Sequence, residues 1–136
     1  MSAPERPLPD INDVNLPYWE SAKAHALALP VCVRCGHTYY PMTRHCPRCL
    51  GTESEWRKVA GTGTLVTWNV MHQVYDQAFA AMAPYIVAVV QLTEGPQLVT
   101  NLVNTDGAAL HVGLPLTVQY LKISNDVTLP VYSPSA

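Results

Sequence analysis

The chain has 136 residues and a mass of 14.9 kDa; 49% of it is apolar, 13% is charged, and its formal net charge is −2. That is enough apolar material for a buried core in one domain or two small modules, and too little charge for a disordered chain. The longest apolar stretch, 78–92, is interrupted by Pro84 and too short to span a bilayer, and no basic segment leads into an apolar run at the start, so no membrane span is expected and the expected location is cytoplasmic.

Residues 1–13 hold three prolines and charges of both signs without periodicity, which reads as an arm. From Val14 to Leu29, Leu16, Trp19, Ala22, Ala26 and Leu29 recur at steps of three and four, the period of an amphipathic helix. Asn15 is its expected cap, Pro17 sits inside the first turn, and Pro30 is the expected stop.

The only cysteines fall as Cys32-x-x-Cys35 and, ten residues on, Cys46-x-x-Cys49. Without a secretory signal, paired CxxC steps read as thiolate ligands rather than disulfides, and two such knuckles close a tetrahedron around zinc. Iron in a rubredoxin-type site is the alternative, since ligand type alone does not separate the two metals. Gly36 and Gly51 are where the knuckles are expected to need backbone freedom. All four ligands come from the protein, so the metal is expected to hold the fold and to carry no catalytic water. Tyr39 and Tyr40, between the knuckles, are expected to cover the site.

After Trp56 the sequence turns strand-like. Gly61-Thr-Gly63 leads into a strand from Thr64, a second runs over Tyr85–Leu92, and Glu94-Gly95-Pro96 turns into a third from Leu98. Leu116–Ile123 and Val127–Tyr132 supply the fourth and fifth. Five short strands with one longer connection, 72–84, predict a Greek-key barrel of the OB type. The expected organisation is therefore mainly β: arm and helix over 1–30, zinc ribbon over 31–55, and five-stranded OB-fold barrel over 56–136.

Charge is unevenly placed. Residues 31–60 carry Arg34, Arg44, Arg48, Arg57 and Lys58 against Glu53 and Glu55, a formal +3 that four zinc-bound thiolates reduce to about +1. From residue 61 onward Lys122 is the only lysine or arginine, against four acidic residues. A barrel that bound nucleic acid would need cations along its groove, so the composition disfavours that partner.

No Gly-x-Ser-x-Gly, Walker or His-Glu-x-x-His motif is present, and with every cysteine assigned to metal no thiol nucleophile remains. His72, Tyr75, Asp76 and Phe79 cluster in the long connection. They either pack onto the barrel end or contact a partner or acyl chain.

Taken in order, Tyr18-Trp19, Cys32-Val-Arg-Cys35-Gly36, Cys46-Pro47-Arg-Cys49, Trp56, Gly61-Thr-Gly63, Pro84–Leu92, Glu94-Gly95-Pro96, Gly113-Leu-Pro115 and Leu129-Pro130-Val-Tyr132 cover nearly the whole chain. This order resembles the zinc-ribbon/OB-fold family of acyl-CoA-associated proteins, catalogued as a domain of unknown function, that partner thiolase-like enzymes. Where that family has Pro-Pro-Arg, this chain reads Pro41-Met42-Thr43, with Arg44 one place later. The resemblance implies structural zinc and a non-catalytic subunit in a hetero-oligomer. Its thiolase-like partner would perform retro-aldol cleavage, thiolysis or acyl transfer on a CoA thioester, as in sterol side-chain breakdown. It makes Arg44 a candidate contact for a CoA phosphate or for the partner.

Tyr18, Trp19, Leu27 and Leu29 exceed what a small ribbon can bury, so the helix and ribbon are expected to dock the partner while the barrel end shapes its acyl site. Two other readings stand beside this one: a free acyl-CoA or nucleic-acid binding module, and a self-contained enzyme or rubredoxin-like electron carrier.

Overall fold

In a computed structural model, residues 8–72, 84–105 and 107–135 are described. They form one helix, α1 (Leu16–Lys23), and seven strands: β1 (Ala28–Cys32), β2 (Ser54–Lys58), β3 (Thr62–Met71), β4 (Tyr85–Leu92), β5 (Gln97–Leu102), β6 (Pro115–Lys122) and β7 (Thr128–Pro134). None of these is a helix long and apolar enough to cross a membrane.

The helix is half the expected length. Asn15 occupies the cap position, but its side chain is engaged by the preceding loop, accepting the Asn12 N–H and donating to the Asp10 carbonyl. At the other end the His25 N–H donates to the Ala22 carbonyl and the Ala26 N–H to that of Ser21, with His25 left-handed at φ +58. This is a Schellman ending, which satisfies the last carbonyls and turns the chain out of the helix. Ala26, Leu27 and Leu29 therefore leave the helix, and Leu29 and Pro30 enter β1 instead. Their spacing fits the helical period by coincidence, because Leu27, Leu29 and Val31 also alternate as a strand does.

β1 and β2 pair antiparallel, Cys32 opposite Ser54 and Ala28 opposite Lys58, across the two expected borders at 30/31 and 55/56. The remaining strands close a barrel in the order β3-β4-β5-β7-β6. Consecutive antiparallel pairing joins β3, β4 and β5, while β6 returns to pair with β3 at Thr62–Thr117. β7 then lies antiparallel to β6 and parallel to β5. That is the OB-type Greek key expected from the turns.

Gly63 lets β3 and β4 meet. A Cβ there would stand 2.6 Å from the Gln91 carbonyl oxygen and 2.8 Å from a Val90 methyl.

One core runs through helix, ribbon stem and barrel: Tyr18, Ala22, Leu27 and Leu29 pack with Leu65, Val90, Leu92, Leu116 and Tyr132. Helix α1 lies against β7, whose residues are buried along most of their length. The Leu27 N–H donates to the Tyr120 hydroxyl at 3.0 Å, tying the connector to β6, and the His25 imidazole stacks on the same tyrosine ring at 4.7 Å.

Candidate functional site

The two knuckles are near-copies. The Gly36 N–H donates to the Cys32 carbonyl and the Leu50 N–H to that of Cys46, both at 2.8 Å, and both residues are left-handed, at φ +77 and +63. The expectation that Gly51 supplies the second knuckle's freedom is thus corrected: Leu50 takes the left-handed position, 72% exposed, at a cost of about 1–2 kcal/mol for an L-residue. Gly51 serves by its smallness, since a Cβ would come within 3.3 Å of the Cys49 sulfur and 3.4 Å of Cys32's.

The four sulfurs of Cys32, Cys35, Cys46 and Cys49 lie within 4.8 Å of one another, with Cys32–Cys49 at 3.5 Å and Cys35–Cys46 at 3.6 Å. A Zn–S length of about 2.3 Å puts tetrahedral sulfurs about 3.8 Å apart, so this donor set fits structural zinc with no position left open.

Backbone N–H groups point at the sulfurs, Arg48 to Cys46 and Gly51 to Cys49, both at 3.4 Å. At Cys32 such bonds, from Cys35 first, lower the thiol to about 7. Cys35, although the His37 N–H favours its thiolate, is pushed up to about 12 by burial and its three sulfur neighbours. Four thiols this close need a cation to ionise together, and a bound Zn²⁺ would meet that need. Tyr39 is buried against Cys32 and Cys46 and covers the centre as expected, whereas Tyr40 packs on Tyr18, at 5.8 Å between rings.

The other candidates fall in separate places. Tyr18 is 4% exposed, and Leu27 and Leu29 are fully buried; Trp19 is half-buried with its indole N–H unpartnered. The surplus expected to dock a partner is therefore largely used where helix, ribbon and barrel join, because barrel strands β6 and β7 supply the partner surface that the ribbon lacks. Tyr18 and Trp19 line a 130 Å³ cleft there with Tyr40, Val99 and Asn101.

Arg44 lies at a different opening, a 430 Å³ groove lined also by Tyr39, Met42, His45 and Trp56. Its guanidinium donates twice to the Asp13 carboxylate, at 3.0 and 3.1 Å, and by that hydrogen bond and its charge holds Asp13 below the usual carboxylate range. The pair is exposed, Arg44 at 66% and Asp13 at 72%, so the guanidinium keeps N–H donors open to solvent. His72 stands exposed just past the end of β3, and Tyr75 and Phe79 lie outside the described residues. Among the described residues no serine or threonine hydroxyl is hydrogen-bonded to a histidine or carboxylate side chain, so no nucleophile–base pair is present there. Sequence reasoning missed Leu50, which looked like an ordinary loop residue, and Asp13, 31 positions from its partner Arg44.

The family models for the ChsH2 rubredoxin-like zinc ribbon domain and the ChsH2 C-terminal OB-fold domain match residues 19–55 and 56–121. A DUF35 domain-containing scaffold protein of Methanocaldococcus jannaschii is 30% identical over 110 residues, 79% of this chain and 77% of that protein. A probable enoyl-CoA hydratase alpha subunit of Thermomonospora curvata is 36% identical over 130 residues, 96% of this chain, but the chain spans only 40% of that relative's length. Among solved structures, a chain of the Ltp2-ChsH2(DUF35) aldolase superposes with a TM-score of 0.86 at 35% identity, covering 95% of this chain and 100% of that one. The chain belongs to the DUF35 family, as a ChsH2-type zinc ribbon joined to an OB-fold barrel.

Proposed function

We propose that this chain is a non-catalytic scaffold subunit that docks on a thiolase-like enzyme and supports its acyl-CoA carbon–carbon chemistry: retro-aldol cleavage, thiolysis or acyl transfer in lipid or sterol-type side-chain breakdown. The observation that carries this reading is the end-to-end likeness to a chain named in an aldolase assembly. The chemistry of the chain agrees with it. Its four thiols form one closed donor set, and its described serine and threonine hydroxyls lack a histidine or carboxylate partner. The CoA thioester is accordingly a ligand of the complex, with the reacting groups supplied by the partner.

The test is reconstitution. The thiolase-like enzyme of the same host is purified alone and with this chain, and loss of acyl-CoA is followed by chromatography. Turnover should require both proteins, and this chain alone should give none. Equal kcat/KM for the enzyme with and without it would refute the reading.

A further inference from the structure

The barrel closes on itself, so its strands pair all the way round. The ribbon hairpin differs. On β1 the Ala28 N–H donates to the Ser21 hydroxyl at 3.0 Å, the Cys32 N–H to the His37 carbonyl at 2.9 Å, and the Pro30 carbonyl accepts the Tyr39 N–H at 3.2 Å. The backbone groups of these three residues therefore look away from β2. Facing residues of an antiparallel pair bond each other both ways or not at all. Their register partners, Lys58, Ser54 and Trp56, thus turn their own N–H and C=O groups away from β1. The alternate positions hold the hairpin together: the Val33 N–H donates to the Glu53 carbonyl, and the Val59 N–H to that of Leu27.

The outer side of β1 is covered by the chain at 37–39, where Thr38 bridges to Val31. No described strand lies beyond β2. Its outer edge offers the N–H and C=O groups of Ser54, Trp56 and Lys58, and none of the described turn and loop hydrogen bonds reaches them. Such a row is a template for another strand.

Charged side chains keep two edges apart where like signs meet. The order Ser54-Glu55-Trp56-Arg57-Lys58 does the reverse when it meets itself. Laid antiparallel on a second copy about an axis at Trp56, it sets Ser54 opposite Lys58 of the second copy, Trp56 opposite Trp56, and Glu55 opposite Arg57. Every outward backbone group then has a partner, and both charged pairs are opposite in sign. The neighbouring registers fail. An axis at Glu55 puts two glutamates face to face, and one at Arg57 puts two arginines there. Within one chain Arg57 already donates to Glu55, but their side chains stay 66% and 52% exposed, so the guanidinium keeps donors for a second carboxylate.

We infer that the outer edge of β2 is a pairing surface for a second copy of this chain, which joins two ribbons into one four-stranded sheet about a two-fold axis at Trp56. Reciprocity of charge commits the edge to this occupant. An unrelated strand could satisfy the backbone, but a second copy also answers Glu55 and Arg57 together. The pairing needs no other protein and so stands apart from the function proposed above.

Sedimentation velocity of the zinc-loaded full chain should show concentration-dependent dimers. Glu55→Arg and Arg57→Glu, each alone, set like charges face to face and should weaken self-association at least about tenfold. Melting of the monomer should not change, because each variant loses only an exposed ion pair. An equimolar mixture of the two variants should restore dimers, since every charged pair across the axis is again opposite in sign. Hydrogen exchange at the Ser54, Trp56 and Lys58 amides should slow as concentration rises. A chain that stays monomeric, or dimers indifferent to both variants and to their mixing, would overturn the assignment. Protection of those amides only when the thiolase-like enzyme is added would also overturn it, and would give the edge to a strand of that enzyme.

Discussion

Tyr120→Phe isolates a single part-buried hydrogen bond between the barrel and the stem of the ribbon. The Tyr120 hydroxyl is the acceptor of the Leu27 N–H, at 3.0 Å, and Leu27 is 1% exposed. Phenylalanine keeps the ring and its stack on His25, so only the oxygen is lost. A buried donor left without an acceptor costs about 1–3 kcal/mol. With roughly 2.1 cal/mol/K of unfolding entropy per residue, a chain of 136 residues loses about 3.5 °C per kcal/mol. Melting in the presence of saturating zinc should therefore fall by about 4–10 °C, towards the low end if water reaches the half-buried ring. Zinc content should not change, because the bond lies outside the metal site. A melting temperature within about 1 °C of the parent's would refute the claim that this bond couples the barrel to the stem.

Three further perturbations test other joints. Gly63→Ala drives a methyl into the Gln91 carbonyl, a backbone atom that cannot step aside, and should cost about 1–3 kcal/mol, read as a lower urea midpoint. Leu50→Gly relieves the left-handed leucine without losing a buried contact and should leave zinc bound while raising stability by up to about 1 kcal/mol in the same assay. Burial, and then the neighbouring tyrosines, raises the phenols of Tyr18 and Tyr132 above their ordinary value of 10.0. Above pH 10 the unfolded chain loses those protons while the folded chain keeps them. Stability should thus be fully present below pH 10 and fall above it, by roughly 1.4 kcal/mol per pH unit for each tyrosine. Phenolate absorbance from these rings should appear only with unfolding, and smooth titration of all seven tyrosines in the folded state would contradict their burial.

The parts legible in the sequence are those set by local chemistry. Two CxxC steps announce four sulfurs that converge, and the structure brings them within 4.8 Å. Glycine and proline turns gave the five barrel strands to within about two residues, because a hairpin turn restricts where pairing can begin. What failed depended on distant partners. The helix ends earlier than its apolar period predicts because its left-handed end is His25 and not a glycine; histidine is among the side chains enriched at positive φ, but too weakly to mark a helix end by itself. Tyr18 and Leu27 look like surplus apolar surface in the sequence because the barrel that buries them begins only at Thr62. Arg44 read as a free cation until the fold set Asp13 against it.

The central claim, a zinc-held scaffold subunit of a thiolase-like enzyme, is tested most directly by native mass spectrometry of the tagged chain purified gently from its own host. The account expects one zinc per chain, together with a co-purifying chain whose peptides identify it as thiolase-like; the total mass gives the stoichiometry. A clean monomer carrying only zinc would contradict the account and return the chain to the class of free binding modules.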